Sequence, residues 1–180
     1  MIKHAITATA FALIAAPLAA QTLKPDVTEA QVIGAVDAFF EALRSPDKTA
    51  LATTMIPDGV IFVHDRRDPE NPKIRIVPSG EHLKGWERTP LGTDEYMYHT
   101  SVLIDGTMAH VWGPYVFLVN GKRTHCGVNS MSLAKFPKEH SSGGGWKVTN
   151  TSFTMTALEE CDDLGVPSSI STIPSPTPES

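Results

Sequence analysis

The second half of the chain alternates apolar and polar residues in long runs that are separated by short turn sequences. One run reaches Asp105-Gly106, a second spans Met108 to Val119, and a third extends from Lys122 to Phe136. The dipeptides Asp105-Gly106 and Asn120-Gly121 are those that two-residue hairpin loops prefer, because both central residues need positive φ. A last run spans Trp146 to Thr156. The pattern predicts an antiparallel meander of three or four long strands.

Ahead of the meander, the spacing of apolar residues is that of helices. Five apolar side chains share one helical face, which must therefore be buried: Val32, Val36, Phe39, Phe40 and Leu43. A short second helix through Leu51 and Met55, a pair of short strands and a third helix near Trp86 are predicted to follow. The order predicts an α+β fold, in which a curved antiparallel sheet of about five to six strands wraps the N-terminal helices into a cone with one pocket.

Both ends of the chain have compositions that differ from the middle. Residues 1–20 place Lys3 before an apolar run that ends in small residues, which is the layout of a secretory signal peptide. Residues 161–180 are rich in Pro, Ser and Thr and are predicted to form a disordered tail. One domain is expected at residues 21–160, exported to the periplasm or secreted, with no membrane insertion after the signal peptide is cleaved.

Charge and residue spacing argue against several classes of partner. The formal net charge is −5, and the basic residues form no stripe, which argues against binding to nucleic acid. The chain contains no Cys-x-x-Cys pair and no paired-histidine zinc spacing, so neither a metal nor another cofactor is expected.

The chain has two cysteines, Cys126 and Cys161. In an oxidising compartment they are candidates for one disulfide bond that would fasten the C-terminal end to the sheet. The spacing permits this bond but does not demand it, so both states stay open.

The order of elements resembles the nuclear transport factor 2-like superfamily, which includes the SnoaL-like polyketide cyclases and the ketosteroid isomerases. Within it, the segments Val111 to Phe117, Asn120-Gly121, His125 to Asn129 and Gly144 to Val148 resemble a branch of exported bacterial proteins of mostly unassigned function. The resemblance covers Val27 to Thr156 and implies a small-molecule pocket. It also implies pocket carboxylates for any enzyme, yet the last three strands hold no Asp or Glu in their interiors, which argues against isomerase-type proton transfer.

The turn at Asn120-Gly121 predicts which side chains share a sheet face. Pairing Val119 with Lys122 would place Val116 opposite His125 and Trp112 opposite Asn129. One face would then gather His110, Trp112, His125, Asn129 and Met131, and the other Val111, Tyr115, Phe117, Cys126, Val128 and Ser130. A bulge at Gly113-Pro114 would exchange the two faces beyond it.

The candidate catalytic residues are His125, Asn129, His64 and Asp65. An imidazole titrates near neutrality, so His125 is a candidate for proton transfer, and Asn129 for polarising a carbonyl. The adjacent pair His64-Asp65 is a second candidate, although neighbouring strand residues point to opposite faces. Aromatic side chains would line the pocket: Trp112, Tyr115, Phe117, Phe39, Phe40 and Phe153. The alternative is that all of these are ordinary core residues.

Three functions follow from these features. The first is a domain that binds a small apolar or aromatic molecule without chemistry. The second is a SnoaL-like or isomerase-like enzyme that uses a pocket histidine as general acid or base. The third is a homodimerisation module, in which the outer sheet face packs against a second copy.

Overall fold

The computed structural model describes residues 27–141 and 143–165. The predicted signal peptide, at residues 1–20, lies outside these ranges, as does the predicted tail beyond residue 165. Within the described ranges, no helix is long and apolar enough to cross a membrane.

The described chain folds into two α-helices and one seven-stranded sheet, which confirms the α+β class. The helices are α1 (Val27–Arg44) and α2 (Ser79–Trp86), and the strands are β1 (Val60–Asp65), β2 (Lys73–Pro78), β3 (Thr93–Met97), β4 (Ser101–Asp105), β5 (Met108–Val119), β6 (Lys122–Phe136) and β7 (Gly145–Met155). The predicted second helix is wrong in type, because only a 3-10 turn forms, at Ala50–Thr53.

The sheet differs from the prediction in strand number and direction. Its order is β2-β1-β7-β6-β5-β3, with β4 beside β3 on the same edge of β5. The sheet is mixed rather than antiparallel, because β1 runs parallel to β7 and pairs Ile61 with Thr151. The count rises to seven because the run that was expected to form one strand before Asp105 is divided into β3 and β4.

The long strands of the meander end where the turn sequences predicted. Asn120 and Gly121 have φ angles of 51° and 73°, so both adopt the left-handed conformation that this two-residue hairpin turn requires. Beyond the turn, β6 continues to Phe136. The meander is therefore encoded mainly by local turn chemistry.

The main core lies between α1 and one face of the sheet, which we call the inner face. All five apolar residues predicted for the helical face are buried, as expected. They pack against inner-face side chains such as Val111, Leu133 and Val148. A fully buried aliphatic side chain contributes about 1.5–3 kcal/mol, so this contact fixes the helix on the sheet.

Two glycines allow the sheet to curve tightly around this core. A Cβ at Gly113 would overlap the carbonyl oxygen of Tyr98, and one at Gly127 would overlap that of Thr154. Glycine at these positions therefore lets the neighbouring backbones approach.

A second, smaller core covers one end of the outer face. Cys126 on β6 is bonded to Cys161, with a Cα–Cα distance of 5.7 Å. Both cysteines are fully buried with Val116 and Leu118. The bond therefore fastens Cys161, one residue beyond the predicted domain boundary at residue 160, to the sheet.

Candidate functional site

A cavity of about 240 Å³ opens on the inner face, beyond the end of the main core. Its walls come from the C-terminal part of α1, from α2 and from six of the strands. Most of its lining is apolar: Phe39, Leu43, Ile61, Trp86, Phe117, Met131, Phe153 and Met155. The volume suits a small organic molecule.

A β-bulge in β6 decides which polar side chains reach this cavity. Leu118 pairs with Arg123, whereas Phe117 pairs with His125, so Thr124 is an extra residue in β6. A one-residue insertion turns every following side chain to the other face. His125 and Asn129 therefore join Tyr115 and Phe117 on the inner face. The uninterrupted register predicted from the turn is wrong beyond Arg123.

The bulge is not at Gly113-Pro114, where the sequence placed the alternative. Gly113 pairs with Asn129 and Pro114 with Val128 without interruption. Instead, the hydroxyl of Thr124 donates to the carbonyl oxygen of Phe117 at 3.3 Å. This contact gives a polar partner to the residue that has no opposite neighbour in the ladder.

The carboxyl group of Glu95 is the main chemical feature of the cavity. Glu95 lies on β3, and its Oε1 accepts a hydrogen bond from Asn129 Nδ2 at 2.9 Å. The residue keeps some exposure because it faces the open cavity, but the surrounding side chains partly desolvate its carboxyl group. This burial raises the pKa of Glu95 to about 7, while the bond from Asn129 and the charge of Arg44 oppose the rise.

Arg44, the last residue of α1, holds β3 in place. Its Nη1 donates to the carbonyl oxygen of Glu95 at 2.7 Å. Its guanidinium also lies 3.7 Å from Asp94 Oδ1 and 4.8 Å from the centre of the Tyr96 ring. These contacts involve three consecutive residues, so the end of the helix sets the position of the Glu95 backbone.

His125 is stacked in the wall as a neutral ring. Its ring centre lies 4.9 Å from that of Phe117 in a stacked arrangement, and its Nδ1 lies 3.1 Å from Thr124 Oγ1. Burial, assisted by the charge of Arg67, lowers the pKa of His125 to about 4. This lowering of the pKa argues against His125 as the group that exchanges a proton near neutral pH, which is the role that the sequence suggested for it. Within the described residues, Nε2 has no protein partner.

Tyr115 lines the same wall, but its hydroxyl is already used. It donates to the carbonyl oxygen of Thr154 at 2.8 Å, and burial raises its pKa well above the usual range. The phenol therefore contributes shape and one acceptor oxygen to the cavity, rather than a free acidic proton.

The predicted pair His64-Asp65 does not act as a unit. His64 points to the outer face, where its Nε2 lies 3.0 Å from Ser152 Oγ. Asp65 accepts two hydrogen bonds from Arg67, at 2.9 and 2.7 Å, and these hold its pKa down at about 2. Neither residue lines the cavity, so the catalytic role proposed for this pair is not supported by its position.

The aromatic candidates divide in the same way. Phe39, Tyr115, Phe117 and Phe153 line the cavity. Phe40 is buried in the core without reaching the cavity. Trp112 is 47% exposed on the outer face and does not line the cavity, because the bulge turns His125 and Asn129 to the opposite face from Trp112.

The cavity also contains three residues that the sequence did not predict: Glu95, Trp86 and His82. Glu95 lies outside the last three strands, on β3, which the sequence predicts as one run with β4. The alternation Thr93, Glu95, Met97 against Asp94, Tyr96 was the available signal. Among the described residues, no three His, Cys, Asp or Glu side chains come together as a metal site.

Known proteins resemble this chain in structure but not in sequence. No protein-family model matches it, and no curated protein matches it. A protein from Streptomyces avermitilis, provisionally assigned as a dehydratase of the nuclear transport factor 2-like family, superposes with a TM-score of 0.54 at 20% identity, over 73% of this chain and 98% of its own. A ketosteroid isomerase-like protein from Erwinia carotovora gives 0.51 at 16%, over 72% and 97%. The chain has the nuclear transport factor 2-like fold.

This fold is shared by proteins with different names. The β subunit of a provisionally assigned aromatic-ring-hydroxylating dioxygenase from Novosphingobium aromaticivorans superposes with a TM-score of 0.55 at 12% identity, over 73% of this chain and 91% of its own. Because identities are this low, the nuclear transport factor 2-like fold alone is shown, and the chemistry has to be argued from the cavity.

Proposed function

We propose that the cavity binds a small, flat, apolar molecule and that Glu95 transfers a proton to or from it. The observation that carries this proposal is the Glu95 carboxyl group, placed among apolar side chains and bonded to Asn129. The last three strands have no interior carboxylate, and β3 supplies one instead. Its presence favours acid–base chemistry over binding alone.

Three polar side chains of the cavity have distinct parts in this chemistry. A carboxyl group with a pKa of about 7 can accept or donate a proton near neutral pH, which is the condition for efficient general acid–base catalysis. Asn129 orients the carboxyl through its amide. His125 offers Nε2 to a polar atom of the bound molecule. The isomerase-like and dehydratase names among proteins of this fold agree with proton transfer.

A generic substrate can test the proposal before the natural one is identified. The compound 5-nitrobenzisoxazole is small, flat and apolar, and its ring opens to a coloured phenolate when a base removes its one reactive C–H proton. We expect turnover by the wild-type protein to rise with pH through about 7, because the carboxylate form is the base. Glu95→Gln should lower the rate about 100-fold or more.

The matched control is Glu139→Gln, which removes an exposed carboxylate outside the cavity. This variant should keep the wild-type rate and pH profile. Equal rates for wild type and Glu95→Gln would remove Glu95 from the chemistry and contradict the proposal.

Binding without turnover is the second candidate function. It is favoured by the commitment of the Tyr115 hydroxyl to Thr154 and by the predominantly apolar wall. Under this function an apolar molecule such as 2-naphthol binds wild type and Glu95→Gln equally, and 5-nitrobenzisoxazole is not turned over. Trp86→Ala should then weaken binding, because the indole forms part of the wall.

A further inference from the structure

Arg75 places a positive charge in the lining of the cavity. It lies on the edge strand β2, opposite Val63 of β1. Ile61 and Val63 face the core, and the pairing turns Arg75 to the same side, where it contributes to the cavity wall. The residue is exposed, as expected for a side chain at the mouth rather than in the depth of the cavity.

Most other arginines of the described chain have a carboxylate partner. Arg44 contacts Asp94, Arg66 contacts Glu160, Arg67 contacts Asp65 and Arg123 contacts Asp162. For Arg75, no hydrogen bond or ion pair is formed within the described residues. Asp65 is near enough for the charge of Arg75 to help lower its pKa, but both of its oxygens are engaged by Arg67. The mouth therefore carries an uncompensated positive charge.

Glu95 and Arg75 lie at opposite edges of the sheet. Arg75 belongs to β2 and Glu95 to β3, which are the first and last strands of the hydrogen-bonded order. Curvature brings both edges to one cavity, with the apolar wall between them. A bound molecule can therefore present one polar end to Arg75 and its reacting end to Glu95.

We propose that the molecule taken by this cavity is a small apolar carboxylate whose anionic group is bound by Arg75 at the mouth. This inference rests on the proposed function and names its substrate class. A guanidinium group forms two parallel hydrogen bonds to a carboxylate, and the hydrocarbon or aromatic body of the molecule fits the apolar wall. The partly apolar surroundings strengthen such a pair relative to one in bulk water.

The experiment compares two ligands with the same apolar body, 4-phenylbutyrate and 4-phenyl-1-butanol, by isothermal titration calorimetry at pH 7.5. The wild-type protein should bind the carboxylate about 10-fold more tightly than the alcohol, since a charge-assisted bond is stronger than a neutral one. Arg75→Gln should remove this preference, and Arg75→Lys should restore part of it. Added salt should weaken binding of the carboxylate and not of the alcohol.

Arg88→Gln is the control, because Arg88 is exposed and does not line the cavity; it should keep the wild-type preference. Equal affinities for the two ligands in the wild type, or an unchanged preference in Arg75→Gln, would overturn the assignment of Arg75 while leaving the proton transfer by Glu95 intact. If the wild type binds neither ligand, the substrate class is wrong. Turnover of 5-nitrobenzisoxazole then decides separately whether the proposed function also fails.

Discussion

Two carboxylates, Asp65 at the end of β1 and Glu95 on β3, show how differently this protein treats the same chemical group. Asp65 does not line the cavity. It lies at the end of β1, which we call the rim, where two hydrogen bonds from Arg67 hold its pKa down at about 2. Glu95 lies in the cavity, where burial raises its pKa to about 7 and Asn129 gives its oxygen one neutral donor. The rim carboxylate is therefore a permanent charge, whereas the cavity carboxylate can exchange a proton near neutral pH.

The surroundings of a carboxylate, rather than its residue type or its neighbours in sequence, select the reactive group. Asp65 follows a histidine and attracts attention in the sequence, yet a strong ion pair removes its basicity. Glu95 has no histidine beside it in the chain. Its raised pKa depends on burial by the core and by the strands that surround its side chain.

The largest expected effect comes from Gly113→Ala, which should disturb the cavity around Glu95. A Cβ there would overlap the carbonyl oxygen of Tyr98, just after β3, and would displace the strand that carries Glu95. We expect a loss of about 3 kcal/mol in the free energy of unfolding, measured by urea denaturation. Gly34→Ala, at an exposed helical position with no neighbour within 4 Å, should instead gain about 0.5–1 kcal/mol. Equal effects of the two substitutions would contradict the role given to Gly113.

A smaller effect of opposite sign is expected from Glu95→Gln. Between about pH 4.5 and 7 the folded protein holds a proton on Glu95 that the unfolded chain has released, so stability falls as pH rises through this window. The variant has no such proton. It should be more stable than wild type at pH 8.5, because it removes a charge that burial disfavours. We expect a gain of about 1–2 kcal/mol, less than the full pKa shift implies, since the Glu95 side chain keeps some exposure. Urea denaturation at pH 5 and pH 8.5 measures the difference, and a variant destabilised at pH 8.5 would argue against a desolvated carboxylate.

Asp65→Asn tests how much the charge of the rim carboxylate contributes to stability. The lowered pKa of Asp65 means that its contribution to stability is present above about pH 4 and is lost as pH falls through about 2. Removing this charge should cost less than about 1 kcal/mol at pH 7, since the pair with Arg67 is partly exposed. The sign should be opposite to that of Glu95→Gln at pH 8.5. A stabilised Asp65→Asn variant would show that the two carboxylates do not differ as described.

The smallest expected effect is that of the Arg67 charge, at the rim, on the pKa of His125 in the cavity wall. The positive charge of Arg67 is one of the causes that lower the pKa of His125, after burial. Arg67→Gln should therefore raise the pKa of His125 slightly, without bringing it to that of a free imidazole. An NMR titration of the ring protons measures this shift, and Arg66→Gln, whose partner is Glu160, serves as the control. A fall in the pKa of His125 in Arg67→Gln would contradict the link.

Much of the fold could be predicted from the sequence because it is encoded locally. The turn at Asn120-Gly121 and the apolar face of α1 each depend on residues close together in the chain. The parallel pairing of β1 with β7 could not be predicted, since no local pattern encodes contact between Ile61 and Thr151.

The candidate site could be predicted only in part from the sequence. His125 and Asn129 were identified by residue type, but the extra residue Thr124 changed the face that they share with Tyr115. Nothing in the spacing of β6 marks Thr124 as a bulge. The position of Glu95 depends on β3, a short strand whose ends are defined by its pairing with β5 and not by a local sequence pattern.

The pKa of Glu95 is the most direct test of the central claim. Selective ¹³C labelling of glutamate and a pH titration of the side-chain carboxyl signals, with Glu95→Gln to assign the resonance, would give this value. We predict a midpoint of about 7 for the Glu95 signal. A midpoint near 4.5, the ordinary value for this side chain, would show that the carboxyl is in contact with bulk water and would contradict proton transfer by a buried Glu95.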